Sequence, residues 1–179
     1  MTYAILFLLA VGIVWWWTST VAVTVDRVPE VSARIQFPTT LRITDPALAV
    51  SQLERPDEIV IPHQYATLVL VFPLTTPATL AITAPIEHGF TRADLVRAIC
   101  DEYENVYDIE EATAQTKPIP ESESATLGRN RTDGLYGIWG HDRGDLVMTA
   151  VHWTRSPDSR VTIRPHIEAR PKPELPPSA

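Results

Sequence analysis

Polar and apolar residues alternate along Ser32–Phe37, with Ala33, Ile35 and Phe37 set against Ser32, Arg34 and Gln36. A period of two is that of a half-buried strand. Leu41 and Ile43 continue it after Pro38. Asp45-Pro46 then reads as a helix start, with Asp as N-cap and Pro at the first helical position. The helix must be short, because Arg55-Pro56-Asp57 breaks it. Ile59–Ile61, Ala66–Phe72 and Ala78–Thr83 are β-rich runs. Prolines 62, 73, 77 and 85 punctuate them and favour short or edge strands.

The apolar period changes from two to three and four in Thr91–Tyr107, TRADLVRAICDEYENVY. Leu95, Val96, Ile99, Tyr103, Val106 and Tyr107 form the stripe of a helix over 91–107. Thr91 and Asp94 make a capping box with Asp in place of Glu, and Phe90 and Leu95 make a hydrophobic staple. Cys100 borders the stripe as a small buried residue. Ile109–Ala125, with Glu110, Glu111, Glu121, Glu123 and two prolines, reads as a polar loop. The acidic run Asp101–Glu111 offers charge to a cation or a basic partner, but a solvated helix face accounts for it. Asp145–Thr154 and Arg160–Ile167 pair as a hairpin over 145–167, joined by the turn chemistry of Ser156-Pro157-Asp158. Residues 168–179 form a proline-rich tail.

The longest apolar run comes first. Tyr3–Val25 carries no charged side chain. About 20 apolar residues suffice to cross a bilayer core of about 30 Å. Trp15, Trp16 and Trp17 suit the membrane interface, where amphipathic rings sit at headgroup level. Residues 1–25 are therefore predicted to be a retained membrane anchor. A cleaved signal peptide is a rival, but no basic stretch precedes the run and Val21-Ala22-Val23 is a poor cleavage site. A buried core segment is the third reading. Arg27 and Arg34 follow the run, so the positive-inside rule favours a cytoplasmic remainder.

Composition narrows the partners more than the chemistry. The chain has 179 residues, 45% of them hydrophobic, enough for one domain with appendages. The expected fold class is α+β: an N-terminal transmembrane helix, then a domain at 26–167 of short antiparallel strands and one main amphipathic helix. A net charge of −7 argues against nucleic acid, whose phosphates need a basic face. One cysteine excludes an internal disulfide framework and a cysteine-rich zinc site.

Candidate chemistry gathers in Gly128–Asp145, GRNRTDGLYGIWGHDRGD, which holds five of the seven glycines. A phosphate loop fails there, because neither the Gly-Lys-Ser/Thr ending nor the Gly-x-Gly-x-x-Gly spacing is present. His141, Asp142 and Asp145 are the candidate metal ligands, with His88, His152 or His166 as a further donor. They lack the helical histidine pair or CxxC spacing of a specific site. The main expectation is a structural loop of Gly134, Tyr136, Gly137, Trp139, Gly140, His141 and Asp142. In it Trp139 plugs the core, and Asp142 or Asp145 caps backbone N–H groups or pairs with an arginine. No cofactor is expected.

The helix FTRADLVRAICDEYENVYDIEE, the polar insert and the segment NRTDGLYGIWGHDRGDLV resemble uncharacterised conserved proteins of large DNA viruses. These share an NRxTDGxYGIWGHDxxDLV-type motif. The resemblance covers Phe90–Val151, about a third of the chain, and centres on Tyr136–Asp142. It implies a viral origin and a recurring domain, with no activity and no catalytic residues. Together these features predict a single-pass protein of the virion's internal membrane or a host membrane. Its predicted role is structural, a minor virion component contacting capsid or other virion proteins and linking them to the membrane. The alternative is a membrane-bound metal-dependent enzyme using His141, Asp142 and Asp145.

Overall fold

The computed structural model describes residues 29–119 and 129–170. Seven strands and two helices run in the order β1 (Val31–Arg42), α1 (Pro46–Ser51), β2 (Ile59–Ile61), β3 (Tyr65–Leu70), β4 (Ala78–Thr83), β5 (Phe90–Thr91), α2 (Arg92–Thr113), β6 (Leu146–Arg155) and β7 (Val161–Ala169). A 3₁₀ turn, Arg143–Asp145, leads into β6. Five strands form one sheet in the order β1-β6-β7-β3-β4, while β2 and β5 pair separately. The pairs β1/β6, β6/β7 and β3/β4 are antiparallel, but β7 and β3 are parallel, with Thr67 opposite Thr162 and Leu68 opposite Ile163.

Two expectations are corrected by this architecture. The described residues form a mixed α/β domain with a parallel β3/β7 pair, where short antiparallel strands behind a transmembrane helix were expected. Parallel neighbours need a long crossover, and the segment carrying β5 and α2 lies between the β3/β4 hairpin and the β6/β7 hairpin. The predicted transmembrane helix, with its interfacial Trp15, Trp16 and Trp17, lies outside the described residues. Among those described, no helix is long and apolar enough to cross a membrane. The longest, α2, exposes Asp101, Glu104, Asp108 and Glu111, and each such charge opposes insertion. The single-pass membrane location drawn from the first 25 residues is withdrawn with that helix.

The sheet buries one face against α2. Along β3, Ala66, Leu68 and Leu70 point inward, and Ile82, Ile163, Val151 and Ile35 continue the layer on neighbouring strands. The inward set on β6 changes phase, from Leu146 and Met148 to Val151 and Trp153. A register shift between Met148 and Ala150 is the cause. One extra residue in a strand moves every later side chain to the opposite face.

Helix α2 begins as its cap predicts. The Thr91 hydroxyl accepts from the Asp94 N–H at 3.1 Å. The N–H groups of Arg92 and Ala93 donate to the carbonyls of Glu58 and Pro56, so the first turn leaves few orphan donors. A 2.5 Å ion pair between Arg92 and Glu58 reinforces the junction. The end differs from the predicted Tyr107: the helix continues to Thr113. The stripe runs on through Glu110, which is buried, so tertiary contacts stabilise a last turn that polar composition alone does not favour. The short α1 also follows its cap, with Asp45 accepting from the Leu48 N–H at 2.9 Å.

Candidate functional site

Three side chains on one stripe of α2 organise the glycine-rich loop. Tyr103, Tyr107 and Glu110 follow at four- and three-residue spacing and share a helix face. The Tyr103 hydroxyl donates to the Phe72 carbonyl at 2.8 Å. The Tyr107 hydroxyl donates to the His141 carbonyl at 3.0 Å. Burial pushes both phenols above their ordinary range, so they stay neutral donors. The helix thereby fixes the turn after β3 and the end of the loop at once.

Glu110 holds the loop's middle. It is 0% exposed, and its carboxylate is ringed by donors. The Thr132 hydroxyl and the Gly134 N–H donate to Oε1, and the Tyr136 and Gly137 N–H groups donate to Oε2, at 2.5 to 3.1 Å. A buried carboxylate is tolerable only when its lone pairs are met in this way. Burial by itself raises the carboxyl's pKa. The hydrogen bonds from Thr132, Tyr136, Gly137 and Gly134 outweigh it and hold the group below its ordinary value. Glu110 is therefore a charged structural hub, sealed from solvent and committed to its donors.

Two of the clustered glycines have a steric reason, and the hub supplies the first. A Cβ on Gly134 meets the Glu110 carboxyl carbon, carboxylate oxygen and carbonyl oxygen, each at 2.6 Å. Only glycine lets the loop approach the helix so closely. Gly137 has φ +63, and a Cβ there lies 3.1 Å from the Thr75 side chain. Its position next to Tyr136 is further fixed by Thr75, whose N–H and hydroxyl donate to the Tyr136 and Gly137 carbonyls. Gly128 lies outside the described residues.

Of the expected loop residues, Trp139 is placed differently. It does not plug the core; it is 60% exposed. Ile138 takes the interior position, fully buried and bridged to Leu74. In extended backbone, successive side chains point to opposite sides, so burying Ile138 turns Trp139 outward. Tyr136 joins the core. Trp139 then shares a cleft of about 300 Å³ with Val71, Phe72, Pro73, Leu74 and His141. The Phe72 and His141 rings lie 5.3 Å apart.

The candidate metal ligands are not assembled. Asp142 pairs with Arg129 at 2.8 Å. Asp145 accepts from the Asp142 N–H at 3.2 Å. His141 stacks on Phe72. His152 and His166 lie on strands β6 and β7, where they engage Ser32 and Thr149. Among the described residues, no three His, Cys, Asp or Glu side chains converge as a metal-holding group. Arg129 is buried, with its guanidinium 5.4 Å from the Tyr107 ring centroid, and it ties Asp142 to the helix side of the loop.

Sequence reasoning missed Glu110 and the outward Trp139. The signal for Glu110 was its three-residue spacing from Tyr107, which continues the buried stripe. Its charge placed it with the solvated acidic run instead. The direction of Trp139 had no local signal. No family model, no curated protein and no solved structure matches this chain.

Proposed function

We propose that this chain is a non-enzymatic structural or interaction protein and that the surface around Trp139 is its contact face. One observation carries the reading: a largely exposed Trp139 sits on a loop held from below by the sealed Glu110 carboxylate. A rigid, exposed tryptophan offers a large contact area at low entropic cost. Val71, 54% exposed, and Phe72 extend the apolar surface beside it. A patch of this kind marks interaction sites on soluble domains. The resemblance of the Tyr136–Asp142 motif to viral proteins suggests virion or capsid proteins as partners. Nucleic acid fits poorly with a chain of net charge −7.

The test is photo-crosslinking from Leu135, which is exposed on the same loop, in purified virions or the native source. Cross-links to other proteins should form with the wild-type chain and disappear with Trp139→Ala. A chain recovered without protein neighbours, or the same neighbours in both versions, overturns the reading.

A further inference from the structure

We infer that the cleft between Trp139 and the Phe72–His141 pair is occupied by this chain's own proline-rich segment, Pro171–Pro177. The inference rests on the proposed contact face and adds its first occupant. The segment's sequence is PKPELPP, and it lies outside the described residues.

Position supports the pairing. The last described residue, Arg170, donates its N–H to the Asp145 carbonyl at 2.7 Å. The chain therefore leaves β7 beside the loop that carries His141 and Trp139. Six residues along the chain separate Trp139 from Asp145, an upper bound of about 22 Å. Seven residues in a polyproline helix span about 22 Å at roughly 3.1 Å each. The segment's length matches the largest separation the loop permits between Asp145 and Trp139, and His141, four residues from Asp145, lies within about 14 Å of it.

Chemistry supports it as well. The cleft is lined by Val71, Phe72, Pro73, Leu74, Trp139 and His141, so its walls are aromatic and apolar. Proline-rich segments dock in aromatic-lined grooves of this kind, because their backbone is already restricted and loses little entropy on binding. Pro171, Pro173, Pro176 and Pro177 supply the rings, and Leu175 an apolar side chain. Tethering gives the segment an effective concentration of order millimolar, so weak contacts suffice. A segment that fills the cleft about nine-tenths of the time lowers a partner's affinity about tenfold. It thus regulates the proposed contact face.

The test compares the indole N–H resonances of the ¹⁵N-labelled full chain with those of the chain ended after Arg170. Trp139→Ala assigns the Trp139 signal, and the buried Trp153 reports on the fold. The Trp139 resonance should move on truncation while Trp153 stays. Peptide PKPELPPSA, added at millimolar concentration, should move it back. The shift in the full chain should not depend on protein concentration, and Leu135 cross-links to partners should rise on truncation. An unmoved Trp139 resonance overturns the inference. A concentration-dependent shift also overturns it, since the segment then comes from a second copy. Loss of partner cross-links in Trp139→Ala with no resonance shift leaves the contact face standing without this occupant. A shift with no partner cross-links in any version refutes the contact face and leaves the segment as its occupant.

Discussion

Glu110 joins a charge, a burial and a backbone path in one side chain. Replacing it by Ala leaves the N–H groups of Gly134, Tyr136 and Gly137 without their acceptor, while the Thr132 hydroxyl keeps the Ile138 carbonyl at 3.1 Å. Each buried donor left unpaired costs about 1–3 kcal/mol, so Glu110→Ala should destabilise by roughly 3 kcal/mol or more in urea unfolding. A loss below about 1 kcal/mol would show that water replaces the carboxylate. Gly134→Ala should cost about 1–3 kcal/mol, because the added methyl group strikes Glu110 and its backbone. Trp139→Ala, by contrast, removes an exposed ring and should change stability by no more than about 0.5 kcal/mol. Cys100 is buried, and burial pushes its thiol up to about 12, with Asp101 adding to the shift. It should react with a thiol reagent only as fast as the native chain opens; rapid labelling at pH 8 would contradict the packing described.

Helix α2 carries the site because its stripe does two jobs. Its first half, from Leu95 to Ile99, packs into the core. Its second half uses hydroxyls and a carboxylate to hold the backbone of the turn after β3 and of the loop. Tyr107→Phe should lose about 1 kcal/mol and free the His141 carbonyl, raising hydrogen exchange in the loop more than in β6. Equal protection in both proteins would remove the tyrosine from this role. The helix start was legible because capping is local: Thr91 and Asp94 lie three residues apart and meet through a single turn. The helix end was not, because the last turn is stabilised by Glu110 meeting donors 22 to 27 residues away in sequence. Strand β1 announces itself by alternation, and β3, β4, β6 and β7 by β-rich runs between turn residues, yet neither signal encodes which strands are neighbours. The parallel β3/β7 pair depends on where the crossover deposits the second hairpin.

Across the whole molecule, Glu110 is the fully buried contributor to the acid response, beside the less buried Glu58, Asp133 and Asp158, whose hydrogen bonds also hold them below their ordinary values. The folded state depresses the Glu110 pKa, so the native form binds its proton less readily than the unfolded chain does. Its stabilisation is fully present above the ordinary glutamate value of about 4.3. It is lost as pH falls from there through the lower folded value. Unfolding midpoints in urea should therefore drop below about pH 4.3 in the wild type. Glu110→Gln should flatten that dependence, and an unchanged acid slope in the variant would place the titrating group elsewhere.

The amino-acid order by itself determined what depends on near neighbours. It set the capped starts of α1 and α2, the alternation of β1, the β-rich runs of β3 and β4, the turn of the β6/β7 hairpin and the burial of Cys100. It also marked the glycine-rich loop as unusual. Only the tertiary structure decided the rest: a mixed sheet, a helix that runs past its apolar stripe, a glutamate turned inward and a tryptophan turned outward. The physical reason is range. Caps, turns and periodicity are settled within a few residues. Whether a charged side chain is solvated or buried depends on donors supplied from a distant part of the chain, and burying Glu110 and Ile138 together left Trp139 on the surface.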